Sequence, residues 1–471
     1  MEIKLTKRDI IWSYIGTILS MGINFIMLPF LMYFLDGDML GLWYVFASIG
    51  ALATLFDFGF GVTFARNITY AWSGARSLKK EGVNFSENIT PDFILIKKVL
   101  LTCKIIYGII AGASILALLT VGTYYIMYIS REVEGNSQIV AWIIYSIGIF
   151  LNLYYGYYAS FLRGVGNVAQ ANKNTVYARV IQLVLMVVLL VSGFDLLGVC
   201  VAYLAYGTVF RLLGKKYFYQ YKNIGYELSL LKEKIPRKEI REMVGIVWHN
   251  AWRDGLIAFS NYFCIQASTI ICSFYLSLAE TGVYSIGVQL ATAIAVIAGT
   301  MYNTYQPELQ SAYVLNDRAK MCKIMSVIVM SFVYLYLAGI ILFCLGGMPV
   351  LKFIRPSATV SYPVLLGLCA YQFILQFRNC YTSYFSCTNR IIYLRAFLCS
   401  SILCIGLSLF LAGSCQLGIW GLIMAQITSQ VVYNLWKWPL LAHRELHLSA
   451  RNMICAGSRE LVQSCLRRRK S

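Results

Sequence analysis

The stretch Ile324–Leu345 reads IMSVIVMSFVYLYLAGIILFCL and carries no charged side chain. A helix that spans a bilayer needs about 20 mainly apolar residues, and this stretch reaches that length. The stretches Ile10–Leu35 and Val99–Ile129 are similarly long and apolar. Because the core of a soluble domain has no need for runs of this length, the sequence predicts an all-helical, polytopic membrane protein.

The composition of the whole chain supports the same class. Of its 471 residues, 59% are hydrophobic and 13% are charged, whereas about 25% of the residues of a soluble protein are charged. Most of the 14 cysteines lie in apolar segments, where cysteine behaves as a small hydrophobic residue. No CxxC spacing and no histidine cluster suggests a metal site, so we expect no cofactor.

The apolar runs predict twelve membrane spans. Their approximate ranges are 10–35, 41–65, 99–129, 139–162, 176–193, 196–213, 248–277, 281–306, 323–345, 361–387, 394–413 and 417–436. The first run is longer than the apolar region of a secretory signal peptide, which has about 7–15 residues. We therefore interpret it as the first span.

Positive charge is distributed unevenly between the loops. If the N-terminus is cytoplasmic, the outer loops contain only Arg131, Lys352 and Arg355 of the 40 Lys and Arg residues. Cytoplasmic loops of membrane proteins carry an excess of Lys and Arg, so both termini are predicted to be cytoplasmic. The net charge of +19 then reflects orientation in the membrane, and we expect no nucleic-acid partner.

A long basic loop divides the chain into two halves of six spans each. The predicted segments are an N-terminal lobe (1–213), a basic linker (214–247), a C-terminal lobe (248–436) and a basic cytoplasmic tail (437–471). An outer turn with two glycines five positions apart occurs in both halves, as Gly193 with Gly198 and as Gly413 with Gly418. Six spans per half keep the two halves in the same orientation. The sequence thus predicts a parallel repeat, with two pseudo-symmetric lobes around a central cavity and alternating access by rocking of the lobes.

The sequence contains no catalytic signature. A Walker loop, a GxGxxG after a strand, HExxH and GxSxG are all missing, so we expect neither an enzyme nor a nucleotide-driven pump. Function must then depend on polar groups inside the spans, which are costly there.

Charged residues within the spans are the first candidates. Span two contains Asp57 and ends near Arg66, span seven opens with Arg253 and Asp254, and span ten contains Arg378. An isolated charge in the bilayer must be paired, neutral or in contact with water. Asp57 is interpreted either as a coupling group or as part of a packing pair. Arg253 lies either at the cytoplasmic interface or in the mouth of a cavity.

Two polar stripes accompany these charges. In span ten, one helical face carries Gln372, Gln376, Asn379 and Ser383; in span one, a similar face carries Ser13, Thr17, Ser20 and Asn24. Such a stripe must face protein or water, so it indicates either a lined cavity or hydrogen bonds between helices.

Other residues allow a simpler interpretation. Several arginines lie near predicted cytoplasmic ends and are interpreted mainly as orientation signals: Arg163, Arg179, Arg211, Arg390 and Arg395. Four tyrosines cluster in span four: Tyr154, Tyr155, Tyr157 and Tyr158. They either pack within the lobe or line a path, since aromatic faces suit sugar rings.

Several short motifs together resemble a known family. They are Gly41-Leu-Trp-Tyr44, Asp57-Phe-Gly-Phe-Gly61, Ala65-Arg66, Phe161-Leu-Arg-Gly164, Thr281-Gly-Val-Tyr-Ser285, Gln289-Leu290 and Tyr305-Gln-Pro307. In these motifs the chain resembles the O-antigen flippases of the polysaccharide transporter family, within the multidrug/oligosaccharidyl-lipid/polysaccharide exporter superfamily. The likeness extends over nearly the whole chain.

The resemblance implies a function in the bacterial inner membrane. The implied substrate is an undecaprenyl-pyrophosphate-linked oligosaccharide, an O-antigen or capsular repeat unit, flipped from the cytoplasmic to the periplasmic leaflet. The implied partners are this substrate, membrane lipids and the polysaccharide polymerase machinery, with H⁺ or Na⁺ as a possible coupling ion. Arginine binds pyrophosphate well because its donors form a fork, so the candidate ligands are Arg66, Arg253 and Arg378. The candidates for cavity polarity or coupling are Asn24, Asp57, Asp254, Gln372, Gln376 and Asn379.

Three other functions stay open. A multidrug or cation antiporter of the same superfamily would need acidic residues in its cavity, whereas the deep charges here are mostly basic. A flippase for the peptidoglycan precursor would use the same physics with another head group. A non-transporting assembly scaffold for a polysaccharide synthase would have no need for polar stripes inside its spans.

Overall fold

The computed structural model of the chain describes residues 3–35, 37–54, 57–82, 90–130, 136–232, 235–276, 278–349 and 360–466. Its regular structure is almost entirely helical, as predicted. By length and composition, seven helical segments in this part of the chain can cross a membrane: Phe93–Tyr128, Ser137–Gly164, Val168–Val191, Asp195–Leu230, Val283–Val314, Arg318–Gly347 and Leu394–Ser414.

The first compact unit contains ten helices and the start of an eleventh among the described residues. They are α1 (Lys7–Phe34), α2 (Gly37–Thr54), α3 (Phe60–Trp72), α4 (Phe93–Ala117), α5 (Thr123–Ile129), α6 (Ser137–Tyr155), α7 (Tyr157–Gly164), α8 (Val168–Val191), α9 (Asp195–Gln220), α10 (Ile224–Leu230) and α11 (Arg237–Tyr275). The unit ends inside α11, at Trp252. Helix α1 is joined to α8 by polar contacts, because the amide of Ala169 donates to Asp9 at 2.7 Å and Asn172 donates to Ser13 at 2.9 Å.

The second compact unit begins at Arg253 and also includes Glu81 from the connection between α3 and α4. Its further helices are α12 (Leu278–Ala298), α13 (Thr300–Val314), α14 (Arg318–Leu342), α15 (Tyr362–Cys387), α16 (Leu394–Ser408), α17 (Gly418–Val431), α18 (Asn434–Leu446) and α19 (Ala450–Leu466). The last two helices occupy most of the segment predicted as a basic tail.

The two units repeat the same internal pattern. Helices α4 and α14 each have 25 residues, and each continues into a five-residue π-helical turn, Leu118–Gly122 or Phe343–Gly347. Packing between α3 and α4 in the first unit recurs between α13 and α14 in the second, and packing between α8 and α9 recurs between α16 and α17. The repeated halves expected from the sequence are therefore present in the fold.

Spans two and eight are each divided, although the sequence predicts them as continuous. In span two, Phe58 and Gly59 have φ values of 44° and 76°, in the left-handed region, and α3 begins directly after them. Glycine adopts this region freely, whereas Phe58 does so at a cost on the order of 1 kcal/mol or more. In span eight, the break lies at Gly299 between α12 and α13. The break in span two frees Asp57 from a regular helical position.

The contact between α14 and α19 is tight at Gly457. A β-carbon at this position would lie 2.5 Å from the backbone oxygen of Ser326. Gly457→Ala is therefore expected to force the two helices apart and to lower the free energy of unfolding by about 1–3 kcal/mol. Thermal unfolding of the purified protein measures this loss. Gly406→Ala in α16, where nothing lies within 4 Å, is the matched control and should not be destabilising. Equal stability of the two variants would contradict the tight crossing.

Candidate functional site

Asp57 lines a cavity of the first unit. The cavity has a volume of about 290 Å³ and is lined by Gly50, Asp57, Gly61, Tyr107, Ile149, Asn152, Leu153, Gly156, Ser160 and Tyr203. The hydroxyl of Tyr107 donates to Oδ1 of Asp57, and the amide of Gly61 donates to Oδ2 at 3.4 Å. A carboxyl group with these neighbours and space beside it can bind a proton or a small cation. The described partners of Asp57 are thus a phenol and an amide.

The size of this cavity depends on Gly61. A β-carbon there would lie 3.1 Å from Oδ2 of Asp57 and 3.4 Å from the hydroxyls of Ser160 and Tyr107. Gly61→Ala is expected to displace the carboxylate and, if the chain transports a substrate as the sequence predicts, to reduce that transport several-fold, at a stability cost of about 1 kcal/mol. Substrate flux in proteoliposomes and thermal unfolding measure the two effects. Gly112→Ala in α4, with nothing within 4 Å, should leave the flux unchanged. Unchanged flux in the Gly61 variant would exclude the cavity from the transport cycle.

Arginines and tyrosines form a second feature of the first unit, which we call the arginine–tyrosine face: Tyr155, Arg179, Gln182, Tyr206 and Arg211. The guanidinium carbon of Arg211 lies 3.8 Å from the ring centre of Tyr155, and that of Arg179 lies 4.4 Å from the ring centre of Tyr206. Arg179 also donates to the side-chain oxygen of Gln182 at 3.0 Å. Among the residues that the structure describes, no carboxylate forms a salt bridge with Arg179 or Arg211.

The arginine–tyrosine face adjoins the Asp57 cavity through Tyr203. The rings of Tyr203 and Tyr206 have centres 6.1 Å apart, and Tyr203 lines the cavity. The sequence interpretation of Arg179 and Arg211 as orientation signals overlooked this arrangement. The sequence does contain one indication of this face: both arginines lie inside predicted spans, five and six, and these spans and span four contain tyrosines.

Arg66 is placed deep in the first unit, on α3. Its side chain is fully buried, with 0% exposure, and α3 packs against α7 and α4. Arg66 is thus not accessible to solvent in this conformation. Asn24 lies on α1, but its side chain is outside the described residues.

Arg378 is the centre of a buried polar network in the second unit. Its side chain is 1% exposed, and its Nη1 and Nη2 donate to the amide oxygens of Gln430 and Asn261. The guanidinium also lies 3.8 Å from the ring centre of Phe397. The network continues because Asn434 donates to the same oxygen of Gln430 at 3.0 Å. Arg378 thereby joins α15 to α11, α16 and α17.

The amide side chains in the polar stripe of span ten have different surroundings. Gln372 donates to the hydroxyl of Thr292 on α12 at 3.0 Å. Asn379 donates to Gln376 at 3.3 Å, and the oxygen of Gln376 lies 3.8 Å from where a β-carbon on Gly299 would be. The described contacts of Gln372 are therefore hydrogen bonds between helices, whereas Gln376 faces the break between α12 and α13.

The charged pair that opens span seven is separated by the structure. Arg253 forms an ion pair with Glu81, with Nη1 and Oε1 3.0 Å apart, and the side chain of Glu81 is largely exposed. Asp254 is buried. The side chain of Arg253 is itself 23% exposed. No group of three or more His, Cys, Asp or Glu side chains in the described segments could hold a metal ion.

The arrangement of helices matches solved transporter structures. No protein-family model matches the sequence, and no curated protein matches it. A crystal structure of MATE in the bent conformation has a TM-score of 0.72 and 13% identity, over 94% of this chain and 99% of that chain. An outward-facing multidrug resistance MATE family transporter of the MOP superfamily has a TM-score of 0.71 and 15% identity, over 94% and 99%. A MOP superfamily transporter from Pyrococcus furiosus Vc1 has a TM-score of 0.68 and 14% identity, over 95% and 100%.

The chain has the MATE fold. The predicted fold class, an all-helical polytopic membrane protein with two lobes of transporter type, is thereby confirmed. Each compact unit of this MATE fold contains its own cluster of polar candidates: the Asp57 cavity with the arginine–tyrosine face in the first unit, and the Arg378 network in the second. At 13–15% identity the likeness extends to the fold and not to the substrate.

Proposed function

We propose that this protein is a flippase that moves an undecaprenyl-pyrophosphate-linked oligosaccharide across the bacterial inner membrane by alternating access. The observation that carries the proposal is the arginine–tyrosine face. Arg179 and Arg211 lie in helices apolar enough to span the membrane, and no described carboxylate forms a salt bridge with either of them. A cation in this position requires water or an anionic ligand, and a ligand pyrophosphate would supply the charge.

The side chains of the face match the two parts of such a substrate. Guanidinium groups bind phosphate oxygens in a forked geometry, which gives short, charge-assisted hydrogen bonds. The neighbouring rings of Tyr155 and Tyr206 are large, rigid and amphipathic surfaces, against which a sugar ring can pack. In this proposal Arg179 and Arg211 contact the pyrophosphate. Arg66 and Arg378 are buried, so a direct contact from either requires a conformational change.

One structural neighbour offers indirect support. The transporter from Pyrococcus furiosus is described as having a binding pocket of reverse polarity, which suggests a different function for it. The MATE fold therefore accommodates pockets of different charge. A cationic site for an anionic substrate in this chain is compatible with the same scaffold.

A second candidate function is multidrug or cation antiport. It is favoured by the Asp57 cavity, because a carboxyl group beside open space can hold a proton or a cation, and by the multidrug resistance transporter among the neighbours. In the flippase proposal the same carboxyl group is the coupling site, with H⁺ or Na⁺ as the coupling ion.

The two candidates are distinguished by reconstitution into proteoliposomes. The flippase proposal expects a fluorescent undecaprenyl-pyrophosphate oligosaccharide to become accessible in the opposite leaflet, without ethidium export in the same vesicles. Export of ethidium without movement of the lipid would overturn the proposal in favour of antiport. Vesicles without protein, and vesicles with undecaprenyl phosphate in place of the pyrophosphate-linked sugar, are the controls.

A further inference from the structure

We name residues 434–466, which contain α18 and α19, the C-terminal hairpin after the turn between the two helices. This turn contains His447, whose φ of 46° lies in the left-handed region. Arg318 donates to the backbone oxygens of Leu446 and Glu445, at 3.2 and 3.3 Å. Further along, Tyr334 and Ser458 are hydrogen-bonded at 2.9 Å. The hairpin is therefore a fixed part of the second unit.

Both carboxylates of the hairpin are already neutralised by cations of the unit. Glu445 pairs with Arg390, and Glu460 pairs with Lys323 at 2.9 Å. The hairpin contains no other Asp or Glu. Neither carboxylate of the hairpin is therefore available to neutralise the basic side chains of the hairpin itself.

These cations lie on the outer surface of the hairpin. Arg444, Arg451 and Arg459 are exposed, and no described carboxylate forms a salt bridge with them. Arg451 and Arg459 are eight positions apart on α19, so they share one helical face with the exposed Cys455 between them. Three exposed arginines thus lie on the two helices of the hairpin, and the sequence adds Arg467, Arg468, Arg469 and Lys470 immediately after the hairpin.

An apolar stripe leads to this cationic surface. Trp436 is 47% exposed, Leu440 is 61% exposed, and both lie on the same face of α18 as Arg444, at successive intervals of four residues. Ile454 on α19 is 51% exposed. Apolar and aromatic side chains followed by an arginine are typical of a helix that passes from the acyl chains of a membrane to its head groups.

We propose that the C-terminal hairpin is a binding site for an anionic phospholipid, such as phosphatidylglycerol or cardiolipin. The acyl chains lie along Trp436 and Leu440, and the head-group phosphate is bound by Arg444, Arg451 and Arg459. Both parts of the lipid match the surface, because the apolar stripe accepts the chain and the uncompensated charge selects an anionic over a zwitterionic head group. The site shares no residue with the proposed substrate site, and the proposal does not depend on the proposed function.

The experiment compares lipid binding to the full-length protein with and without these charges. The hairpin variant is Arg444→Gln with Arg451→Gln and Arg459→Gln. The matched control removes three exposed lysines of other cytoplasmic segments, Lys215→Gln with Lys216→Gln and Lys238→Gln. Native mass spectrometry and thermal unfolding are measured in detergent with added phosphatidylglycerol or with phosphatidylcholine. Inorganic phosphate at equal concentration separates a lipid site from a free phosphate site.

The expected result is at least a tenfold loss of phosphatidylglycerol affinity in the hairpin variant, because each basic residue near an anionic surface contributes substantially to binding. The phosphatidylglycerol affinity of the control variant should stay within twofold of that of the unchanged protein. The unchanged protein, the hairpin variant and the control variant should not differ in their affinity for phosphatidylcholine. A variant with lysine at these three positions should retain most of the phosphatidylglycerol affinity. This result would show that the loss in the glutamine variant is due to charge. Equal losses in the hairpin and control variants, no loss in either, or an equal effect of inorganic phosphate would overturn the proposal.

Discussion

In the proposed flippase function, replacement of both Arg179 and Arg211 by alanine is expected to reduce flipping of the lipid-linked oligosaccharide by at least 100-fold. Each guanidinium would make charge-assisted hydrogen bonds to the pyrophosphate, worth roughly 1.5–3 kcal/mol each. Loss of two such contacts corresponds to about 3–6 kcal/mol, and every 1.4 kcal/mol is a factor of ten. Flux of the fluorescent substrate in proteoliposomes measures the effect.

Two further variants separate the possible causes of this loss. Lys215→Ala with Lys216→Ala removes two exposed cations from the same helix, α9, and should leave the flux within about twofold of the unchanged protein. Arg179→Lys with Arg211→Lys keeps both charges but lacks the forked donors and the planar stack on tyrosine. An intermediate flux is expected for this lysine variant. Normal flux in the alanine variant, at equal protein level, would remove the arginine–tyrosine face from the substrate path.

Replacement of Arg378 by alanine is expected to lower the stability of the second unit by about 2–4 kcal/mol. The change removes the donors to Asn261 and Gln430. Gln430 keeps its hydrogen bond from Asn434, but the partly buried amide oxygen of Asn261 loses Arg378 as its donor, which costs roughly 1–3 kcal/mol. The cation–π contact with Phe397 is lost in addition. Chemical or thermal unfolding of the purified protein measures the change. Arg395→Ala on α16, an exposed position, should alter stability by no more than about 0.5 kcal/mol.

The comparison of stability with transport decides what Arg378 does. Loss of flux per folded molecule with unchanged stability would show that Arg378 contacts the substrate during the cycle. Loss of stability with normal flux per folded molecule would show that Arg378 positions α11, α15 and α17 instead. The buried network makes the second result the expected one. Surface polysaccharide in cells should then fall in parallel with the amount of folded protein.

The membrane spans could be predicted from the sequence because each depends on a local property. Ile324–Leu345 lies within α14 and the π-helical turn that follows it, and Val99–Ile129 lies within α4, α5 and the π-helical turn between them. The breaks were harder to predict. The backbone at Phe58 and Gly59 takes left-handed φ values although the segment is apolar enough to continue as a helix, and apolar length alone does not indicate such a change.

The candidate site was predicted less completely. The sequence predicts Arg378 deep in span ten and Arg66 at the end of span two. Both side chains are buried in the structure, but position in a span does not reveal whether the surroundings are packed protein or a cavity. Arg179 and Arg211 were assigned to orientation because they lie near the ends of their spans. Their contacts with Tyr206 and Tyr155 join residues far apart in the chain, and no periodicity within one helix indicates such a pairing.

The sequence by itself determined that this chain is a helical membrane protein with two similar halves, because apolar length and repeated turns are properties of single segments. Only the tertiary structure decided which polar groups face a cavity, which are enclosed in packing and which remain on the surface. Three charged side chains illustrate this. Asp57 lies beside a cavity, Arg378 lies within a buried network and Arg444 lies on an exposed face, and the sequence alone does not distinguish these environments. The physical reason is that the environment of a charged side chain depends on the residues of other helices that pack around it.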